Sequence, residues 1–160
     1  MGSFSEDELM VTEASVDAIQ EIWIVLSEAF APYYRFYTEK AYSATVITPF
    51  EIKNRIQDPE TIVLIASCKK RIVGTASIVI KGRNLHIRSM AVKPCYQTKG
   101  IGSRILEKIC VFSKENFAEI ITLECFNPLI EAQKLYKKFC FEFTAKNRIL
   151  HGIELFEMIK

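Results

Sequence analysis

Apolar residues along this chain change period several times, and each change marks an element. From Val16 onward, Ile19, Trp23, Leu26 and Phe30 recur at helical spacing, with Ser15 or Asp17 available as cap and Pro32 marking the end. That spacing predicts a helix of about four turns, preceded by a short strand over 10–14. Thr48-Pro49-Phe50-Glu51 has the order of a capping box, and predicts a short helix carrying Phe50, Ile52 and Ile56 that stops before Pro59. Two β-rich runs, 61–67 and 71–80, flank the basic turn Lys69-Lys70 and predict a hairpin. After a turn at 82–84, residues 85–92 alternate, with Leu85, Ile87 and Ser89 on one face, and Pro94 closes the strand. Ile101, Ile105, Ile109 and Phe112 restore the helical period, with Arg104, Glu107, Lys108 and Lys114 on other faces. Residues 119–126 read as a strand buried on both faces through its first half. A helix bearing Leu129, Ala132, Leu135, Tyr136 and Phe139 follows, then closing strands at 141–145 and 153–159 with a turn near His151-Gly152. The predicted order is βααβββαβαββ, an α+β chain with a mixed sheet and helices on its faces.

Length and composition narrow the class. The 160 residues suffice for one domain with a sizeable core. Residues 1–9 read as a flexible acidic tail and 10–160 as a single domain. With 21 basic and 19 acidic side chains the net charge is only +2, which speaks against a nucleic-acid surface. No apolar run has the length of a membrane span. The opening residues do not read as a secretory leader. The five cysteines form no C-x-x-C pair, so reduced thiols and a cytoplasmic location are expected. The two histidines have no evident ligand partners, and no metal is expected.

The junction "QTKGIGS" (97–103) carries the first chemical signal. A strand–loop–helix junction leaves unpaired N–H groups at the helix start, where the helix dipole adds positive potential. Such a junction can hold a phosphate, and glycine lets the oxyanion approach closely. Lys93, Lys99 and Arg104 add positive charge nearby. It is not a P-loop, because Lys99 precedes Gly100, and not a dinucleotide fingerprint, because position 105 is Ile. From the junction alone, a phosphate cradle and a ligand-free helix entry both remain open.

The wider stretch "MAVKPCYQTKGIGSRIL" resembles the hallmark segment of the GNAT superfamily, the acyl-CoA N-acyltransferases. Val92, Pro94, Gln97, Gly100 and Gly102 fit its pattern of strand-ending Val, Pro, Gln or Arg, two variable residues, Gly, one variable residue, and Gly or Ala. "LECFNPLIEAQKLYKKFCF" resembles the family's C-terminal half. The resemblance implies the GNAT-like three-layer fold with a mixed, twisted central sheet. It implies acetyl-CoA as cosubstrate, with the pyrophosphate on the amides of Gln97, Thr98, Lys99, Gly100, Ile101, Gly102 and Ser103. The pantetheine arm would lie along Met90, Ala91 and Val92, with the amide of Met90 or Val92 polarising the thioester carbonyl.

By the same resemblance Tyr136 is the general acid for the departing thiolate. Glu124, in Leu123-Glu124, resembles the base of members that acetylate protein N-termini, and desolvation is expected to raise its pKa. A water chain is the other route for that proton. The aromatic tract Tyr33, Tyr34, Phe36, Tyr37 and Tyr42 falls at the family's substrate-covering segment, so Tyr33 and Tyr34 are candidates for the acceptor side. The implied reaction is direct transfer to a primary amine, either a peptide N-terminus or Lys, or a small metabolite. A CoA-binding module that senses or scaffolds without transfer is the alternative. Nucleic acid and membrane are not expected partners, and many relatives form homodimers. Three positions depart from the family: Arg88 stands where some members place a carboxylate, Cys140 where glycine is expected, and Asn127 is offset by two residues from an asparagine that touches CoA. Cys95 adjoins the loop without a His-Asp set to make it a nucleophile.

Overall fold

Alternating strands need a cover for each apolar face, and the stripes on the helices supply it. The structure, a computed structural model, describes residues 8–160. Its strands are β1 (Leu9–Glu13), β2 (Thr61–Cys68), β3 (Arg71–Lys81), β4 (Asn84–Val92), β5 (Ile120–Phe126), β6 (Glu142–Leu150) and β7 (Ile153–Ile159). They form one sheet in the order β1-β2-β3-β4-β5-β7-β6. Among the described residues only the β4–β5 pairing is parallel. A parallel neighbour requires a crossover, here the helix α4 (Ile101–Glu115). The other helices are α1 (Ile19–Phe30), α2 (Glu39–Thr45), α3 (Pro49–Gln57) and α5 (Ile130–Lys138).

Two cores result. On one face Ile101, Ile105, Leu106 and Ile109 of α4 and Tyr136 of α5 pack against Val73, Ile78, Ile87 and Leu123 of the sheet. On the other, Ile22, Val25, Leu26 and Phe30 of α1 and Ile52 of α3 pack on Val63, Ile72 and Ala91. The expected three-layer arrangement is therefore present. The Thr48–Glu51 capping box also forms, each side chain bonding the other's backbone.

Several expectations are corrected. Residues 31–45 hold two elements absent from the predicted order, a 3-10 turn (Ala31–Phe36) and α2. Aromatic crowding hides their period, and the Thr38 side chain caps α2 by accepting from Ala41 N–H at 3.1 Å. The first helix begins with a 3-10 turn (Val16–Ala18), and the Ser15 side chain makes no capping bond. Leu9, assigned to the tail, is a buried residue of β1, while residues 1–7 of that tail lie outside the described residues. Phe50 is 71% exposed; Ile52 alone anchors α3 fully. β5 is buried on one face only, because α1 and α3 cover the sheet no further than β4.

The consequential correction is in β4. Ser89 does not continue the face of Leu85 and Ile87. It sits at φ +53°, and the pairing with β3 slips there: between the pairs Ser77/Arg88 and Thr75/Ala91, Ser89 and Met90 stand opposite the single residue Ala76. A bulge adds one residue and reverses the alternation beyond it. Met90 and Val92 thus pack with the α4 core and Ala91 with the α1 core, the opposite of strict alternation.

Candidate active site

The bulge also ends the β4–β5 ladder. Their pairs run only from Asn84/Ile120 to Ile87/Leu123, although β4 continues to Val92 and β5 to Phe126. The strands part at Arg88 and Glu124. Lys93 N–H bonds Val73 O at 2.8 Å, toward β3. By the alternation of a ladder, the main-chain groups of Met90 and Val92 face the split. Gln97 reaches back across the loop and donates through Nε2 to Val92 O at 3.0 Å. Its side chain therefore braces the loop against the strand.

A groove of about 390 Å³ opens at this split. Met90, Ala91 and Val92 form its floor, and Gln97, Thr98, Gly100, Ile101, Gly102 and Ser103 one end. Leu135 and Tyr136 of α5 form the facing wall. Ala29, Phe30 and Tyr33 come from the opposite side of the sheet, so the groove passes through the split. The residues of the strand and loop segment predicted to bind one ligand are thus brought together, Lys99 excepted. Lys99, Asn127, Tyr34 and Glu124 do not line the groove. The Lys99 ammonium lies 5.5 Å from the Tyr96 ring centre, and Asn127 accepts through its carbonyl from Gln133 Nε2 at 3.1 Å. Tyr34 is 58% exposed and meets Tyr42 edge-on.

The loop end presents main-chain donors at a helix start. Thr98 (φ +61°) and Gly100 (φ +83°) are both left-handed. Gly100 is the N-cap of α4 and, as a glycine, supplies no side-chain cap. The first helical bond there is Arg104 N–H to Gly100 O at 3.0 Å, so the amides of Ile101, Gly102 and Ser103 precede the ladder. Gly102 serves another purpose. A Cβ there would lie 2.7 Å from Leu135 Cδ2 and 3.6 Å from Met90 Cε, so its absence keeps the groove open between α4, α5 and β4.

Tyr136 is almost fully buried, and its hydroxyl makes no hydrogen bond to any described residue. No buried side-chain oxygen of the described residues lacks a partner, so this oxygen is open to the groove its residue lines. Burial, with a smaller contribution from nearby Cys125, pushes its pKa well above the ordinary phenol value, so the proton stays on. The helix exit behind it forms in spite of the missing glycine. Cys140 takes φ +67°, Cys140 N–H bonds Lys137 O at 2.9 Å and Phe141 N–H bonds Tyr136 O at 3.1 Å, the two bonds of a Schellman motif.

Glu124 departs from expectation. Arg148 of the edge strand β6 reaches across β7 and grips it with two bonds, 2.6 and 2.8 Å. Those bonds outweigh desolvation and hold the carboxyl below its usual range, not above it. Sequence reasoning missed Arg148 because its partner lies 24 residues away. It missed the bulge because Ser89 carries no glycine or proline to signal one. The aromatic tract packs over the end of β5: Tyr37 lies 4.7 Å from the Phe126 ring centre, and Thr38 Oγ1 donates to His151 O in the β6–β7 turn. Among the described residues no cluster of three or more His, Cys, Asp or Glu side chains could hold a metal, and no helix is long and apolar enough to cross a membrane.

A family model described as an acetyltransferase (GNAT) domain matches residues 25–160. The fold is similar to PaiA N-acetyltransferase from Thermoplasma acidophilum, solved in complex with coenzyme A (TM-score 0.83, 18% identity, covering 95% of this chain and 98% of that one). It is similar to the ribosomal-protein-S18-alanine N-acetyltransferase from Escherichia coli (TM-score 0.77, 15% identity, 94% and 92% covered). It is also similar to yncA, a putative acetyltransferase from Salmonella typhimurium solved with its cofactor acetyl-CoA (TM-score 0.73, 14% identity, 96% and 93% covered). No curated protein sequence matches the chain.

Proposed function

Since this chain belongs to the GNAT acetyltransferase family, we propose that it transfers an acetyl group from acetyl-CoA directly to a primary amine. The observation that carries this reading is the groove through the β4–β5 split, with unspent amides at one end and an open phenol on its wall. The amides from Gln97 to Ser103 hold the diphosphate. The main-chain groups of Met90 and Val92 bond the pantetheine arm as a missing strand would. One of these two amides then faces the thioester oxygen, where a fixed donor favours the developing oxyanion.

The amine nitrogen attacks the carbonyl carbon, an N–C bond forms and the C–S bond breaks. Tyr136 gives its hydrogen bond, and with it a proton, to the departing sulfur. Tyr33 lines the acceptor approach. Glu124, which stands outside the groove lining, receives the proton from nitrogen once its carboxylate loosens from Arg148 and turns toward the split. The pH dependence follows from the sign of its shift. Glu124 is ionised down to a pH below the ordinary carboxyl range, so the acid limb of kcat/KM lies low in the wild type. Arg148→Met removes the lowering partner and should move that limb to higher pH. A limb that stays in place would assign the proton to a water chain instead.

The direct test is thiol release from acetyl-CoA with a panel of amines and peptides, with the product identified by mass. Acetylation of one class is expected. A protein that binds CoA and acetylates no amine or peptide would be the sensing module.

A further inference from the structure

Two arginines meet at the bulge from different elements. Arg55 of α3 donates from Nη1 to the Oγ of Ser89, the left-handed residue, at 2.7 Å. Arg88 of β4 is the first residue beyond the β4–β5 ladder. Neither lines the groove; Ser89 adjoins Met90 of the groove floor, so both arginines stand beside the groove at the bulge, on the α1–α3 side of the sheet. A guanidinium has five N–H donors. Arg55 spends one on Ser89, and neither arginine has a carboxylate within ion-pair distance among the described residues.

The nearby carboxylates are committed elsewhere. Glu51 accepts from Thr48 N–H at 2.8 Å and Thr48 Oγ1 at 2.9 Å. Asp58 accepts from Thr61 Oγ1 at 2.7 Å and Glu60 N–H at 3.1 Å, and reaches Arg88 only through space. Glu124 is held by Arg148. Burial and the charge of Arg88 push the Arg55 pKa down to about 10, against a smaller opposing effect of Glu51 acting through space. No buried side-chain nitrogen of the described residues lacks a partner, so the unspent donors of Arg55 are open rather than sealed.

Resting on the acetyltransferase reading, we propose that the acceptor is a small amine bearing an anionic group, carboxylate or phosphate, which Arg55 and Arg88 hold on the α1–α3 side of the bulge. Paired guanidinium groups match the two oxygens of such an anion. Their charge also works against a second ammonium in the acceptor, so diamines should be poor substrates. Bound this way, the anion fixes the amine a short distance from the Met90 amide, and the same positive field favours the neutral amine that attacks.

The test uses the full chain with acetyl-CoA, the L-amino acids, their C-terminal amides, phosphoethanolamine and ethanolamine. Thiol release and product mass give kcat and KM. At least one anionic amine should exceed its uncharged counterpart by about tenfold or more in kcat/KM. The amino acids and phosphoethanolamine distinguish carboxylate from phosphate. Arg88→Gln, at an exposed position, should erase that preference by raising acceptor KM about tenfold with acetyl-CoA KM unchanged. Arg55→Lys should weaken it without removing it, with the melting temperature reporting that the bulge is intact. Equal or better use of the uncharged partners overturns the proposal. So does Arg88→Gln lowering kcat on every amine alike, which would give the guanidinium to the reacting carbonyl. Turnover of no anionic amine by a protein that still binds CoA overturns it alone; failure to bind CoA removes the acetyltransferase reading beneath it.

Discussion

Gly102→Asp should abolish CoA binding while leaving a folded domain. Two effects add. The new Cβ lies 2.7 Å from Leu135 Cδ2, so the tip of that flexible side chain must move into the groove. The carboxylate also stands among the amides that receive the diphosphate. Like charges about 4 Å apart at a partly shielded site cost about 4 kcal/mol, roughly a thousandfold in affinity. The fold should survive, because an acid in the first turn of α4 suits the helix dipole. Gly102→Ala, which adds only the methyl, should lose far less. Gly100→Asp acts differently: nothing lies within 4 Å of its Cβ, and the cost is the φ of +83° together with the charge. Calorimetric titration with CoA, beside melting curves, measures both. Wild-type affinity in Gly102→Asp would move the diphosphate away from this helix.

Tyr136→Phe should lower kcat by about a hundredfold or more with little change in CoA affinity. The ring stays where it is, edge-on to Phe141 with centres 6.1 Å apart, so packing is retained and only the hydroxyl is lost. Because burial raises the phenol pKa, Tyr136 should impose no alkaline limb on the wild-type rate below the ordinary phenol range. Steady-state kinetics from neutral to alkaline pH, with CoA binding measured separately, test this. Unchanged turnover throughout would return Tyr136 to the core. A loss of CoA affinity matching the loss of kcat would make it a binding group instead of an acid.

Both predictions concern residues that stand out as motifs in the chain itself: the glycines of the loop and the tyrosine of the last helix. Two other features emerged only with the fold. Ser89 reads as one more alternating residue, yet it is the point where β4 bulges and leaves β5. Glu124 reads as a carboxylate following an apolar run, which argues for a raised pKa. In the structure Arg148, on a strand brought alongside through β7, reverses the sign.

What is local can be read directly from the chain. Periods of two and about 3.6 gave strands and helices, the Thr48–Glu51 pattern gave a cap, and the paired glycines gave a helix start with spare donors, because each depends on neighbours within a few residues. Which strands part, which face Met90 turns to and which charges meet follow from the folded arrangement alone. Those outcomes depend on register between strands distant along the chain, where one inserted residue reverses every side chain beyond it, and on cations such as Arg55 and Arg148 arriving from separate elements.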